Sequence, residues 1–189
     1  SKGTKAVAAF IIEKGTPGFT VGKLEDKLGI TASSTAQLHL ENVRVPLSAR
    51  LGDEGQGFKI ALSTLDGGRI GIAAQALGIA GAALDASKKF VKERQAFGAS
   101  LSKLQGIQWT VADMATRLDA ARLLTWRAAK KKDAGDRYTR EAAMAKLYAS
   151  EACMWICTKA IQLHGGYGYV KEYPVERHFR DAKITEIYE

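Results

Sequence analysis

Cysteine is scarce: Cys153 and Cys157 are the two in 189 residues. They stand one helical turn apart, which places them on one face as small apolar core residues and leaves no disulfide framework. A reducing compartment fits that usage. Histidine is nearly as rare, and His39, His164 and His178 share no metal-ligand spacing with one another or with the cysteines, so no metal site is expected. No run approaches the ~18 consecutive apolar residues of a membrane span. Ser1 to Phe10 has neither the charged nor the apolar region of a signal peptide. Internal repeats and low-complexity tracts are absent, which excludes a repeat array.

A hydrophobic content of 46% in a chain of this length is enough to bury one substantial core or two modest ones. The net charge of +8 comes from 28 basic and 20 acidic residues that are interleaved along the chain. Lys130, Lys131 and Lys132 form the one basic run, with Asp133 and Asp136 close behind. This pattern describes a solvated charged face and lacks the stripe or motif of a nucleic-acid reader. A nucleotide-bearing small molecule suits the charge equally well.

The first fifty residues read as strands. Ala6 to Ile12 is an apolar run, Phe19 to Leu24 follows the turn signal Thr16-Pro17-Gly18, and Leu38 to Val45 alternates apolar with polar. Three short strands without a partner layer are marginal in water, so more of the sheet is expected on the N-terminal side. Long helical patterns follow over Phe58 to Glu93, Leu104 to Lys132 and Thr139 to His164. Gly135 and Gly165-Gly166 serve as stops, and Pro174 opens a short fourth helical segment ahead of a loop-like Ile184 to Glu189. The fold class is therefore α+β, a sheet fragment followed by a helical bundle. Gly67, Gly68, Gly71, Gly78 and Gly81 each weaken the first helix by roughly 1 kcal/mol against Ala, which points to close approach of a backbone or a ligand.

Candidate binding residues cluster in Gln162-Leu163-His164-Gly165-Gly166-Tyr167-Gly168-Tyr169, where three glycines close a helix and can expose amides to a flat or phosphorylated ligand. Arg69, Arg94 and Arg180 suit either phosphate binding or ion pairs between helices. Composition and spacing do not identify a reaction.

Several segments taken together resemble the acyl-CoA dehydrogenase family. They are Lys27-Leu28-Gly29-Ile30 with Ser33-Ser34, Val43-Arg44-Val45-Pro46, Leu65-Asp66-Gly67-Gly68-Arg69-Ile70-Gly71-Ile72-Ala73, Glu93-Arg94-Gln95-Ala96-Phe97-Gly98, Gln105-Gly106-Ile107-Gln108, and Gln162 through Gly168 to Arg180-Asp181 and Ile187-Tyr188-Glu189. The resemblance covers essentially the whole chain, in the family's order. It implies the later part of a middle β-domain over residues 1–53 and an up-and-down C-terminal bundle over 54–189, without the N-terminal half and the last helix.

The implied reaction removes two hydrogens from a short-chain acyl-CoA: a carboxylate takes the α-proton while hydride passes from the β-carbon to N5 of FAD. Glu189 matches that base. The thioester α-proton is weakly acidic, so the site is expected to strengthen the base by desolvation and to stabilise the enolate-like oxygen through the base's own N–H and a ribityl hydroxyl. Some relatives carry the base at the position filled here by Gly68, which has no side chain. By the same resemblance Asp66, Gly67, Gly68 and Arg69 line the acyl-CoA site. Arg94, Phe97, Gln105, Gln162, Leu163, His164, Gly165 and Gly166 contact FAD, His164 through packing or its backbone. The family also implies a homotetramer built as a dimer of dimers sharing FAD, and an electron-transfer flavoprotein as acceptor. A cytoplasmic location is implied in a bacterium and the mitochondrial matrix in a eukaryote.

Two alternatives accompany this reading. Met114-Ala115-Thr116-Arg117-Leu118 and Leu163 to Tyr169 also resemble dehydrogenases of short-branched acyl-CoAs, of the 2-methylbutyryl or isobutyryl kind, in amino-acid catabolism. A non-catalytic oligomerisation remnant is the alternative of another class.

Overall fold

The computed structural model of the chain describes residues 3–189. Two compact units emerge: one runs to Lys27 and resumes over Thr31–Leu65, and the other joins Leu28–Ile30 to Asp66–Glu189.

In the first unit, β1 (Ala9–Phe10), β2 (Phe19–Leu24), β3 (Ala36–Leu40) and β4 (Arg50–Leu51) form two separate antiparallel pairs, β1 with β4 and β2 with β3. Phe19 faces Leu40, Thr20 faces His39 and Val21 faces Leu38, before the register shifts ahead of Leu24. Gly18 makes the approach possible, since a Cβ at its φ of +84° would collide with the Glu41 carbonyl oxygen. Two expected strands are shorter than the sequence suggested. The apolar run from Ala6 pairs only at Ala9–Phe10, and the third strand begins at Ala36 and ends at Leu40 because Asn42 adopts a left-handed φ of 51° ahead of Pro46. Both features end a ladder. Val21, Leu24, Leu38 and Leu40 are all more than half exposed, so the β2–β3 pair buries little of its apolar surface within this unit.

The second unit is helical. α1 (Gly57–Glu93) supplies it from Asp66 onward, followed by the hairpin β5 (Gln95–Ala96) and β6 (Ala99–Ser100), α2 (Gln105–Asp133), α3 (Thr139–His164) and α4 (Val175–Lys183). The three long helices agree with the expected spans to within a residue or so. The hairpin was not foreseen, because its strands are too short to carry a period. Its turn, Phe97 at φ 57° followed by Gly98 at φ 82°, has the two positive values of a tight hairpin.

The core is built largely from alanine. Ala73, Ala76, Ala80 and Ala83 of α1 and Ala142, Ala145, Ala149 and Ala160 of α3 are at most 2% exposed. Such narrow faces let helix axes approach closely. Met114, Ile156 and Val175 are the large side chains that fill the remaining space, each fully buried. An 18-residue stretch of α1 reaches a mean hydropathy of 1.4, enough by length and composition to cross a membrane, yet its alanine face belongs to this core. Cys153 and Cys157 are buried and free, as expected. The neighbouring Cys153 thiol, together with burial, pushes the Cys157 thiol far up, which keeps it an inert core group.

Leu28–Ile30 joins this unit through α4. The Ile30 N–H donates to Asp181 Oδ1 at 2.6 Å, Arg180 Nη1 donates to the Leu28 carbonyl at 2.9 Å, and a Cβ on Gly29 would lie 2.5 Å from the Arg180 carbonyl oxygen. Arg180 also grips Glu176 with two bonds of 2.8 and 3.0 Å, an ion pair within α4 rather than between helices.

At the start of α3, Glu141 is buried yet charged. A bond from Arg140 at 2.8 Å, its own backbone N–H and Lys131 at 3.4 Å hold its carboxyl down from 4.5 to about 2. A lowered folded pKa stabilises the fold above the ordinary value and loses that effect as pH falls toward the folded one.

Two outcomes are expected in the complete protein. Met114→Ala lowers stability by about 2–5 kcal/mol through the cavity it leaves, read from the urea midpoint at constant m-value. Glu141→Gln is less stable than the parent at pH 7, and the gap narrows as pH falls from 4.5 to about 2, read from urea midpoints along that range.

Candidate active site

Two clusters of the expected site residues form at different places in the helical unit. The first is built on α1. Asp66 accepts from Arg69 Nη1 at 3.0 Å with one carboxylate oxygen and from Thr139 Oγ1 at 2.7 Å with the other, tying α1 to the first residue of α3. Arg69 thus forms an ion pair one turn away on its own helix rather than between helices. A Cβ added to Gly67 would come within 3.4 Å of Lys132 Nζ and 4.0 Å of the Tyr138 hydroxyl. At Gly68 the same hypothetical Cβ would lie 2.5 Å from both carboxylate oxygens of Glu189. The Glu189 carboxylate therefore occupies the space that any side chain at position 68 would fill, so both positions direct a side chain to one point.

Glu189 reaches that point by a turn. After α4, a 3₁₀ segment Ile184–Glu186 folds the chain back, with N–H groups of Ile187 and Tyr188 donating to the Ile184 carbonyl at 2.9 and 3.2 Å. Lys146 Nζ donates to the Glu186 carbonyl at 3.4 Å, and the Tyr188 hydroxyl donates to Gln75 Oε1. Glu189 has a left-handed φ of 69°, which for a residue with a Cβ is unfavourable by roughly 1–2 kcal/mol and worth attention beside a candidate site. Its side chain is exposed within the described residues. Beside Thr139 a cavity of about 500 Å³ is lined by Lys131, Arg137, Thr139, Arg140, Glu141 and Ala143. Sequence reading missed Thr139 and Gln75, which carry no motif. It took Lys130 to Lys132 as a solvated face, and Lys130 and Lys132 are exposed, while Lys131 lines this cavity.

The second cluster joins the ends of α1 and α3. His164 stacks on Phe90 with ring centroids 4.2 Å apart and meets Tyr173 edge-on at 6.0 Å. Its Nδ1 lies 2.7 Å from the Ala160 carbonyl, and burial lowers its pKa, so the ring is neutral and Nδ1–H is the donor. The His164 side chain and that of Leu163, 7% exposed, are packing groups. Gly165, at φ 59° and ψ −136°, turns the chain out of α3 where a Cβ would be strained. Gly168 packs tightly against Ile161, whereas open space surrounds Gly165 and Gly166. The Arg94 guanidinium lies over the Tyr167 ring, 5.1 Å from its centre. Arg94 and the glycine turn, more than 70 residues apart, thus meet. Phe97 projects from the hairpin tip, 91% exposed, and Gln105 is exposed at the first position of α2. Bonds from Ser100 Oγ to the Val91 and Lys92 carbonyls at 2.9 and 3.0 Å fold this loop back on α1.

Of the glycines of α1, Gly68 is closely approached by a side chain, whereas a Cβ at Gly71 or Gly78 would meet nothing within 4 Å. Among the described residues no group of three His, Cys, Asp or Glu side chains could hold a metal ion. The second cluster has what FAD needs: a cation, an exposed flat apolar side chain and an amide-bearing turn without Cβ obstruction.

Residues 55–189 match the family profile of the acyl-CoA dehydrogenase C-terminal domain. The chain is 58% identical over all 189 residues to the short-chain specific acyl-CoA dehydrogenase of Clostridium acetobutylicum, covering 50% of it. It is 57% identical over 188 residues to the acryloyl-CoA reductase (NADH) of Anaerotignum propionicum, with 100% of this chain and 48% of the relative covered. Butyryl-CoA dehydrogenase from Megasphaera elsdenii superposes with a TM-score of 0.98 at 55% identity, over 99% of this chain and 49% of that one. The chain spans about half the length of these relatives.

The glycine turn yields a stability contrast. Gly168→Ala, whose Cβ would lie 2.6 Å from the Ile161 carbonyl oxygen, lowers stability by about 1–3 kcal/mol, whereas Gly166→Ala, whose Cβ meets nothing, loses distinctly less. Thermal midpoints of the complete protein compare the two.

Proposed function

Since the chain belongs to the acyl-CoA dehydrogenase family, we propose that its parent protein is an FAD-dependent oxidoreductase acting across the α,β carbons of short-chain acyl-CoA thioesters, with Glu189 as base. The observation that carries this reading is the convergence of Glu189 on Gly68. A carboxylate held over a residue without a side chain has room to receive a substrate carbon alongside it.

In this reading Glu189 takes the α-proton and its own backbone N–H donates to the thioester oxygen as negative charge develops there. The chemistry that bound FAD supplies is acceptance, at N5, of the hydride leaving the β-carbon. Asp66, Gly67, Gly68 and Arg69 line the acyl-CoA side, with Thr139 fixing the Asp66 carboxylate. Lys131, Arg137 and Arg140 beside Thr139 suit the phosphates of the coenzyme A moiety. Arg94, Phe97, Gln105 and Gln162 suit the flavin dinucleotide from the second cluster, and Leu163, His164, Gly165 and Gly166 serve it through backbone. Residues 1–53 then belong to a middle β-domain and 54–189 to the C-terminal bundle.

The names of the relatives support straight short chains over branched ones. One relative is named a reductase. The same residues serve that direction, because Glu189 returns the α-proton by microscopic reversibility and the electron partner decides which way the flavin turns over. For oxidation the partner is an electron-transfer flavoprotein. The assembly is a dimer of dimers sharing FAD, in the cytoplasm of a bacterium or the matrix of a mitochondrion.

Glu189→Gln in the complete, FAD-loaded protein keeps the shape and removes the base. Butyryl-CoA still binds, while anaerobic bleaching of the oxidised flavin band slows by about 10²–10⁴-fold. Bleaching at the parent rate sinks the assignment.

A further inference from the structure

Among the described residues, the Glu189 carboxylate accepts no hydrogen bond of its own, so on its N-terminal side its place over Gly68 depends on what holds the chain just before it. Its φ of 69° adds to the need, since a residue with a Cβ does not settle there unaided. Ile187 is 67% exposed, and the backbone bonds of Ile187 and Tyr188 return only to Ile184. Among the described residues, the bond from the Tyr188 hydroxyl to Gln75 Oε1 is the one side-chain hydrogen bond that joins Ile187–Glu189 to another helix. Gln75 stands two turns beyond Gly68 on the same face of α1, about 10 Å along the axis. One face of one helix thus carries both the point under the carboxylate and the anchor of the residue next to it. Both partners are half-buried, and burial pushes the Tyr188 hydroxyl up, which keeps it a donor at working pH.

We infer that Gln75 is a positioning residue for proton abstraction: by accepting the Tyr188 hydroxyl it fixes the chain beside Glu189 and holds the carboxylate over Gly68. This rests on Glu189 being the base. Gln75 touches neither substrate nor flavin in this role. It acts through Tyr188, and its effect belongs to the step that moves the proton. A base displaced by an ångström loses rate without losing substrate affinity.

The test is a double-mutant cycle in the complete FAD-loaded protein, with Gln75→Leu, Tyr188→Phe and both together, assayed on butyryl-CoA and on its α-deuterated form. Each single change lowers kcat by about 100-fold, leaves KM within about threefold and raises the α-deuterium isotope effect as proton transfer becomes more limiting. The double variant falls no further than either single one, because both changes remove one interaction. Lys88→Met, which cuts only an exposed bond to Asp85 on α1, keeps the parent kcat and isotope effect. Parent values in either single variant, losses that multiply in the double one, or an equal loss in Lys88→Met overturn the inference. Parent-rate bleaching in Glu189→Gln overturns instead the assignment of the base on which it rests.

Discussion

Everything at the candidate site depends on one absent side chain. Gly68 lies on α1, a helix whose other face is a run of buried alanines packed into the bundle, so α1 is held as a rigid wall. On that wall Gly68, one of several glycines, is the one over which Glu189 brings its carboxylate, 2.5 Å from where a Cβ would sit. A larger residue at 68 must either displace the glutamate or take over its place. Positions 68 and 189 are, in physical terms, alternative places from which a side chain can fill one volume.

The rest of the bundle brings distant residues to its ends. α2 and α3 are joined by the short connection between Asp133 and Thr139, which sets Thr139 against Asp66 and the cations Lys131, Arg137 and Arg140 around one cavity. α3 leaves through Gly165, with His164 locked between Phe90 and Tyr173, and the arginine following α1 settles over Tyr167. A neutral, buried histidine is a rigid support for the glycine turn after it, which a charged or mobile one would not be. Rigidity at both ends follows from the same small-residue packing between them.

Much of the fold was legible because long helices repeat a period many times: the spans 58–93, 104–132 and 139–164 lie within about a residue of α1, α2 and α3. The strands were less legible, since two-residue ladders such as Ala9–Phe10 with Arg50–Leu51 arise from pairing between distant segments and leave no local pattern. The candidate residues were legible as motif segments, through resemblance. Their grouping was not: nothing local sets Glu189 over Gly68, Tyr188 on Gln75 or Thr139 on Asp66.

The sequence by itself determined the helix lengths, the alanine and cysteine faces that become core, the glycine stops and the family to which the chain belongs. These properties are local or cumulative along the chain. Tertiary structure alone decided that the Glu189 carboxylate meets Gly68, that His164 stacks on Phe90, and that Thr139 meets Asp66. Those outcomes are contacts across more than 70 positions of sequence, fixed by how closely helices approach and how the chain turns between them, and no short window of residues encodes them.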